Sequence, residues 1–316
     1  RPQCIPNSSR TFVFAYSNDL DPQVITDTFK IFNPRTLANG IYNHVGNVRF
    51  DVKQPEEIEY HWSSDFGYSY VLSSWNSSVY AHLPDSKLSY SSSSTGSDIL
   101  TVIDKFMNNT EAPLCGSTML ILLKRYLNEV DTNYIVARMR QQHVFVHVVS
   151  TIKPSGGLHI QTMYNVATKT NGLCFFTDDS DDYWVSEFLA YLVDDPYLIY
   201  AVNPRVAGTG TMQLPQMPSH NYMSYNTRIT VQDSGLPDRF KMLNLQFDGY
   251  RWSNYIYVNE TVHFHKGTNF AATDVYLQSG PYNVTFTYDY SGSSYQTLQI
   301  RLFSNIPVAD WVPYDN

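Results

Sequence analysis

The chain has 316 residues, 43% of them apolar, enough to fill two packed cores. The formal net charge of -8 comes without any basic stripe that could neutralise phosphates, which argues against nucleic acid as a partner. Charged residues reach only 16%, and Ser, Thr, Asn and 25 tyrosines take their place. Such a surface suits a protein that touches other proteins or sugars. It equally suits a β-rich domain, since Tyr and Thr favour strands.

In chain order, Arg1-Pro2-Gln3-Cys4 carries neither Met nor an apolar leader, and reads as the start of a processed or excised chain. Thr11 to Leu20 reads as a buried strand running into a polar loop. Asp21-Pro22 then sets an N-cap and a first helical position, with Val24, Ile25, Phe29 and Phe32 at helical spacing behind it. Val48 to Val52 reads as a second strand and Tyr70 to Ser74 as a third. Thr95-Gly96-Ser97-Asp98 has the form of a capping box ahead of an amphipathic helix through Ile99, Val102, Ile103 and Phe106. Met119 to Leu123 is the longest apolar run; it is strand length and far short of the ~20 residues that span a bilayer, so no membrane span is expected. A helix around Thr132 to Gln142, a strand Val144 to Val149, a helix Leu158 to Thr168 and a strand Leu173 to Phe176 complete this half.

Strand alternating with helix implies a mostly parallel, doubly wound α/β sheet over residues 1–200. The texture changes beyond this point. Gly208, Gly210, Pro215 and Pro218 mark a connecting stretch, followed by β-rich runs at 227–231, 240–247, 255–264, 274–277, 282–290 and 298–303. Short strands at that spacing predict an antiparallel β-sandwich over residues 201–316.

The motifs Phe12-Val13-Phe14-Ala15-Tyr16-Ser17-Asn18-Asp19 and Ser93-Ser94-Thr95-Gly96-Ser97-Asp98-Ile99-Leu100 resemble the first strand and the third-helix start of von Willebrand factor A (VWA) domains. Met119 to Arg125 falls where their fourth strand would lie, and Leu158 to Phe176 is similar to their last helix and strand. Together with Cys115 to Glu129 and Ser155 to Gly172, these segments look like secreted nematode proteins with a degenerate VWA-type domain beside C-type lectin-like or CUB-like modules. The resemblance covers roughly residues 10–180. It implies a VWA-like fold, a secreted and extracellular location, and a CUB-like or Ig-like second domain.

It also implies a metal site at the carboxyl ends of the strands, which needs oxygen ligands around a hard dication. At the matching positions the first Asp is replaced by Ala15, Ser17 is kept, and the second Ser is Asp19. The Thr is replaced by Ser93, and the Asp after strand four falls at Lys124-Arg125. A cation in place of a carboxylate repels a dication, so neither metal nor cofactor is expected. Asp19 could pair with Arg125 in the ion's stead, or both could be unrelated solvated charges. The remaining rim would hold Ser17, Asn18, Asp19, Ser91 to Thr95, Arg125 and Tyr126. Its hydroxyl-rich helix start could take an anion, or Thr95 could simply cap that helix.

Cys4 and Cys115 each precede one of two strands that neighbour each other in the implied order, so a Cys4–Cys115 disulfide is expected, with Cys174 a buried free thiol; Cys115–Cys174 is the alternative. Five sequons, at Asn7, Asn76, Asn108, Asn259 and Asn283, are candidate glycosylation sites. His263 and His265 share a strand face and could form half of a zinc site, though nothing nearby completes it. The acidic run Asp178 to Asp182 could hold Ca²⁺ weakly, but reads better as a solvated loop. No local signature of a nucleophile elbow, zincin or phosphate loop is present, which lowers the expectation of an enzyme. The leading expectation is a secreted, non-catalytic binding or adhesion glycoprotein that engages an extracellular protein or glycan without a metal. The alternative is a structural protein that assembles with copies of itself; a hydrolase with an unrecognised site comes third.

Overall fold

A computed structural model describes residues 3–38, 40–62, 67–178, 189–233, 240–259 and 268–315. The chain divides into two compact units, Arg1–Asp194 and Asp195–Asn316. The break falls ahead of the 200/201 boundary expected from sequence, because Tyr197–Val202 is a strand of the second unit.

The first unit runs β1 (Arg10–Ser17), α1 (Pro22–Ala38), β2 (Tyr42–Phe50), β3 (Glu59–Trp62), α2 (Gly67–Ala81), α3 (Ile99–Asn108), β4 (Thr118–Leu123), α4 (Asn133–Gln141), β5 (Phe145–Thr151), α5 (Gln161–Lys169) and β6 (Cys174–Thr177). Its sheet has the order β3-β2-β1-β4-β5-β6, parallel throughout except for β3, which is antiparallel to β2. This is the doubly wound, VWA-like arrangement that the resemblance implies.

Helices cover both sheet faces, so the central strands carry unbroken apolar runs. All eight residues of β1 are buried. Phe12 and Phe14 meet Phe29 and Phe32 of α1 and Trp75 of α2 in an aromatic layer of edge-to-face, tilted and stacked contacts, with the Phe29 and Trp75 centroids 4.8 Å apart. On the opposite face Val13 and Ala15 join Ile103 and Phe106 of α3, Met139 of α4 and Tyr164 of α5. The Asp21 carboxylate caps α1 as expected, accepting from the Gln23 N–H at 2.8 Å.

Two local expectations fail. Tyr70 to Ser74 is not a strand but part of α2, where Val71, Trp75, Ser78 and Val79 supply a buried helical stripe; tertiary burial overrides the β propensity of Tyr and Val. The third strand is instead the short, half-exposed β3. Thr95 does not cap α3. That helix starts at Ile99 after Asp98, without a side-chain cap bond, and Thr95 sits in a turn whose carbonyl serves another residue.

The second unit contains β7 (Tyr197–Val202), β8 (Arg205–Val206), β9 (Gly208–Ser219), β10 (Met223–Val231), β11 (Phe240–Asp248), β12 (Ser253–Asn259), β13 (Phe270–Leu277), β14 (Gly280–Tyr290) and β15 (Gln296–Ser304). One sheet has the order β13-β10-β15-β7, with β8 also paired to β15; the other has β12-β11-β14-β9. All pairs are antiparallel, and the inward residues form one core that includes Tyr225, Ile229, Leu243, Phe247, Phe286 and Ile300. The expected sandwich is therefore present. The 208–218 stretch, expected to connect, is the edge strand β9. Its prolines are tolerated because an edge strand needs ladder donors on one side only.

Candidate functional site

The carboxyl ends of β1, β2, β4 and β5 converge on one rim of the first unit, where open α/β sheets place their ligands. Ala15 does not reach it: the side chain lies in the core, fully buried beside Val48 and Ile121. Ser17 ends β1 fully buried, and its hydroxyl donates to Oδ2 of Asp51. Asn18 is also buried, and ties down the segment after α2 by donating to the Asp85 carbonyl at 3.0 Å and accepting from the Asp85 N–H at 2.9 Å.

Arg125 occupies the centre. Its Nε and Nη2 reach Oδ2 of Asp19 at 2.9 and 2.8 Å, and its Nη1 donates to the carbonyls of Ser92 at 2.9 Å and Thr95 at 2.7 Å. The two side chains are only 3% and 7% exposed, so this is a buried pair, with the Tyr90 ring 5.4 Å from the guanidinium carbon. Ser155 adds a hydroxyl bond to the same Asp19 oxygen.

Backbone bonds lock the three loops together. Gly157 N–H donates to the Ser93 carbonyl at 3.0 Å, Tyr126 N–H to Gly156 at 2.8 Å, and Ser97 N–H to Tyr126 at 2.8 Å. Gly157 has φ +79°, and a Cβ there would stand 1.9 Å from the Tyr126 carbonyl oxygen, so only glycine fits. Ser93 is exposed and contributes its carbonyl. Tyr126 is buried, its hydroxyl donating to the Thr151 carbonyl at 2.9 Å. Lys124 points away and donates to the Lys153 carbonyl.

Two carboxylates that sequence reasoning missed complete the rim. Asp51, directly after β2, holds a left-handed φ of 61° and is fully buried. It and Asp98 exchange bonds: the Asp51 N–H donates to Asp98 Oδ1 at 2.8 Å, and the Asp98 N–H to Asp51 Oδ1 at 3.3 Å. Burial pushes the Asp51 carboxyl up to about 7, against the hydrogen bonds from Ser17 and Ser97 and with the charges of Asp98 and Asp19. Burial likewise raises the Tyr90 hydroxyl above its usual range. The sequence carries only the weak signal of an acid at the end of a strand in a doubly wound sheet, which does not set Asp51 apart from other acids at element ends.

A cleft of about 520 Å³ opens on this rim, lined by Asp19, Tyr90, Arg125 and Ser155 together with Leu20, Pro84 and Ser89. The donor set does not fit a divalent cation. A guanidinium already neutralises Asp19, Ala15 supplies no ligand, and no group of three or more His, Cys, Asp or Glu side chains that could hold a metal occurs among the described residues.

Away from the rim, Ser74 Oγ lies 2.7 Å from His61 Nδ1, and His61 Nε2 lies 3.2 Å from Asn47 Oδ1. The chain has the form of a hydrolase triad. However, Ser74 sits inside α2, where backbone N–H groups are committed to the helix ladder and cannot form an oxyanion hole. Burial also lowers the His61 pKa, against the charge of Glu59.

The Cys4–Cys115 disulfide is formed, with Cα atoms 5.4 Å apart, and Cys174 is a buried free thiol. Among the sequons, Asn7, Asn76, Asn108 and Asn283 are exposed and Asn259 is half-buried. Asp178 pairs with Lys153; residues 179–182, His263 and His265 lie outside the described residues. No described helix is long and apolar enough to cross a membrane.

A protein family described as a domain of unknown function (DUF7154) matches residues 202–305. No curated protein matches the chain. Among solved structures, it is similar to the human COPII-coat protein Sec24c (11% identity, TM-score 0.41, 94% of this chain and 44% of that one). It is also similar to a von Willebrand factor type A protein from Catenulispora acidiphila (8% identity, TM-score 0.40, 96% of this chain and 66% of that one). A third similar structure is proximal thread matrix protein 1 from the mussel byssus (8% identity, TM-score 0.40, 65% of this chain and 51% of that one). The chain thus spans less than two thirds of the length of each.

Proposed function

We propose that this is a secreted, non-catalytic binding or adhesion-type glycoprotein that engages an extracellular protein or glycan partner without a divalent ion. The observation that carries the reading is the buried Arg125–Asp19 pair at the carboxyl rim of a VWA-like sheet. A guanidinium in that position replaces an exchangeable dication with a fixed internal charge, so the rim keeps its shape without metal. The exposed sequon asparagines and the disulfide support the extracellular assignment. Self-assembly through sheet edges draws less support, because Pro215 and Pro218 interrupt the free edge of β9.

Calorimetric titration of the full chain with Mg²⁺, Mn²⁺ and Ca²⁺ tests the metal-free reading. No saturable heat is expected. Submillimolar binding that Asp19→Ala abolishes would overturn it.

A further inference from the structure

The second unit carries a face that the reading above leaves unassigned. Along β12, β11, β14 and β9 the inward positions hold apolar core residues such as Leu243, Leu245, Ile256, Val258, Val284 and Phe286. The outward positions line up across the strands by register. Tyr255 pairs with Gln246, Gln246 with Thr285, and Thr285 with Gln213. The next row is Tyr257, Asn244, Thr287 and Thr211. Asp248 stands between Ser253 and Asn283 in the row on the other side.

Those side chains bridge one another. Gln213 Nε2 donates to Thr285 Oγ1 at 2.9 Å, the Thr211 and Thr287 hydroxyls meet at 3.1 Å, and Gln216 Nε2 donates to Asn283 Oδ1 at 3.2 Å. The face is about 14 Å across by ordinary strand spacing. In these paired rows among the described residues no outward position is a cation; Lys241 lies at the bulge between Phe240 and Met242, outside them. Tyr255 and Tyr257 are 61% and 43% exposed and stand two residues apart on the edge strand, about 7 Å from each other. Tyr250, 96% exposed, and Trp252 lie in the connection that closes the β11–β12 hairpin.

We infer that this outward face of the β12-β11-β14-β9 sheet binds a neutral polysaccharide. The chemistry of the face selects that class. Its paired rows hold no cation to match phosphate or sulfate groups; Arg251, 5.9 Å from the Tyr250 ring centre, lies in the hairpin connection outside them. Its aromatic rings lie along one edge, and the rest of these three rows is amides, hydroxyls and the Asp248 carboxylate, with no apolar patch among them. Amides and hydroxyls that each donate and accept are matched by sugar hydroxyls, and two tyrosine rings on one edge present apolar faces to sugar rings while keeping their hydroxyls wet. The inference names the partner class that the proposed function leaves open, and it rests on that reading.

The test is affinity electrophoresis of the full chain in gels containing soluble β-glucan, galactomannan or xylan, with heparin and hyaluronan as charged controls. Retardation by at least one neutral polymer is expected, weakened about tenfold or more by Tyr255→Ala and Tyr257→Ala. Tyr257→Phe should retain binding, and unchanged thermal unfolding confirms that each variant is folded. Asn283→Gln keeps the amide and removes the sequon, so it should bind at least as well as the parent. Absence of retardation in all three neutral gels, retardation by the charged polymers alone, or retardation that both alanine variants leave intact would overturn the inference. A protein ligand lost on Tyr255→Ala would likewise overturn it while leaving the binding role standing. Titratable Mg²⁺ binding at Asp19 would sink the metal-free reading without touching this face.

Discussion

At the carboxyl rim of the first unit, polar side chains turn inward: Arg125, Asp19, Asp51 and Ser17 are buried and engage one another or the backbone. On the outer face of the β12-β11-β14-β9 sheet in the second unit, polar side chains turn outward, uncharged in most positions and bonded laterally across the strands. The first arrangement builds rigidity from groups that become costly once a partner is removed. The second leaves donors and acceptors in water, where changing one costs little stability and can cost a ligand much. Buried charge therefore marks the structural part of this molecule, and the uncharged surface is where recognition is to be sought.

Each unit has its own core, so two thermal transitions are expected, and perturbations of the first should leave the second in place. The largest expected effect is at the disulfide. Cys4 and Cys115 are 111 residues apart, and opening so long a loop with Cys115→Ser should cost about 4–5 kcal/mol, lowering only the first transition in scanning calorimetry. A matching fall in both transitions would show that the units unfold as one. Next comes Arg125→Met, which leaves Asp19 buried and unpaired and should cost about 3–5 kcal/mol by denaturant unfolding. Asp19→Asn combined with Arg125→Met should cost less than the sum of the two, with a coupling of about 1 kcal/mol or more. Additivity would mean that the pair is not a functional unit of the rim.

The sequence exposed the parts of this rim that follow from continuous apolar runs and chain order. β1 and β4 are recognisable because buried parallel strands tolerate no polar interruption, and their adjacency places Cys4 near Cys115 and Asp19 near Arg125. Asp51 and Asp98 were not legible. Each looks like an ordinary acid at the end of an element, and only the crossing of the β2 end with the α3 start turns them into a pair. β3 was missed because a four-residue, half-exposed edge strand carries no apolar signal, and β9 because its glycines and prolines read as a connection. The polysaccharide face was invisible for a related reason: Gln, Asn and Thr at alternate positions specify only a wet sheet surface until the register aligns them.

The Asp51 carboxyl offers a sharper probe of the rim. Its folded value near 7 lies above the model-peptide value of 3.8, so between about pH 4 and pH 7 the folded state binds more protons than the unfolded state. Stability of the first unit should be greatest at the acid side of that window and fall as pH rises through 7, where ionisation must occur in a buried site. Asp51→Asn should flatten this slope, since the Ser17 hydroxyl can turn to accept from the new amide. The measurement is the midpoint of the first transition against pH, with the second as internal reference. An equal slope in the variant would assign the pH dependence to other groups.

The smallest expected effect is at Tyr257, and it tests the comparison from its other side. The ring stands on the outer face of an edge strand, 43% exposed, with Val258 and Ile256 beside it carrying the burial. Tyr257→Ala removes little packed area and no buried charge, so the second transition should shift by no more than about 0.5 kcal/mol. The same substitution is the one expected to weaken retention by a neutral polysaccharide about tenfold. Arg125→Met should do the reverse, lowering stability by several-fold more while leaving that retention unchanged in the folded fraction. If instead Tyr257→Ala unfolds the sandwich, the ring is a packing residue of the β12 edge, and the division between a rigid charged rim and a wet recognition face does not hold.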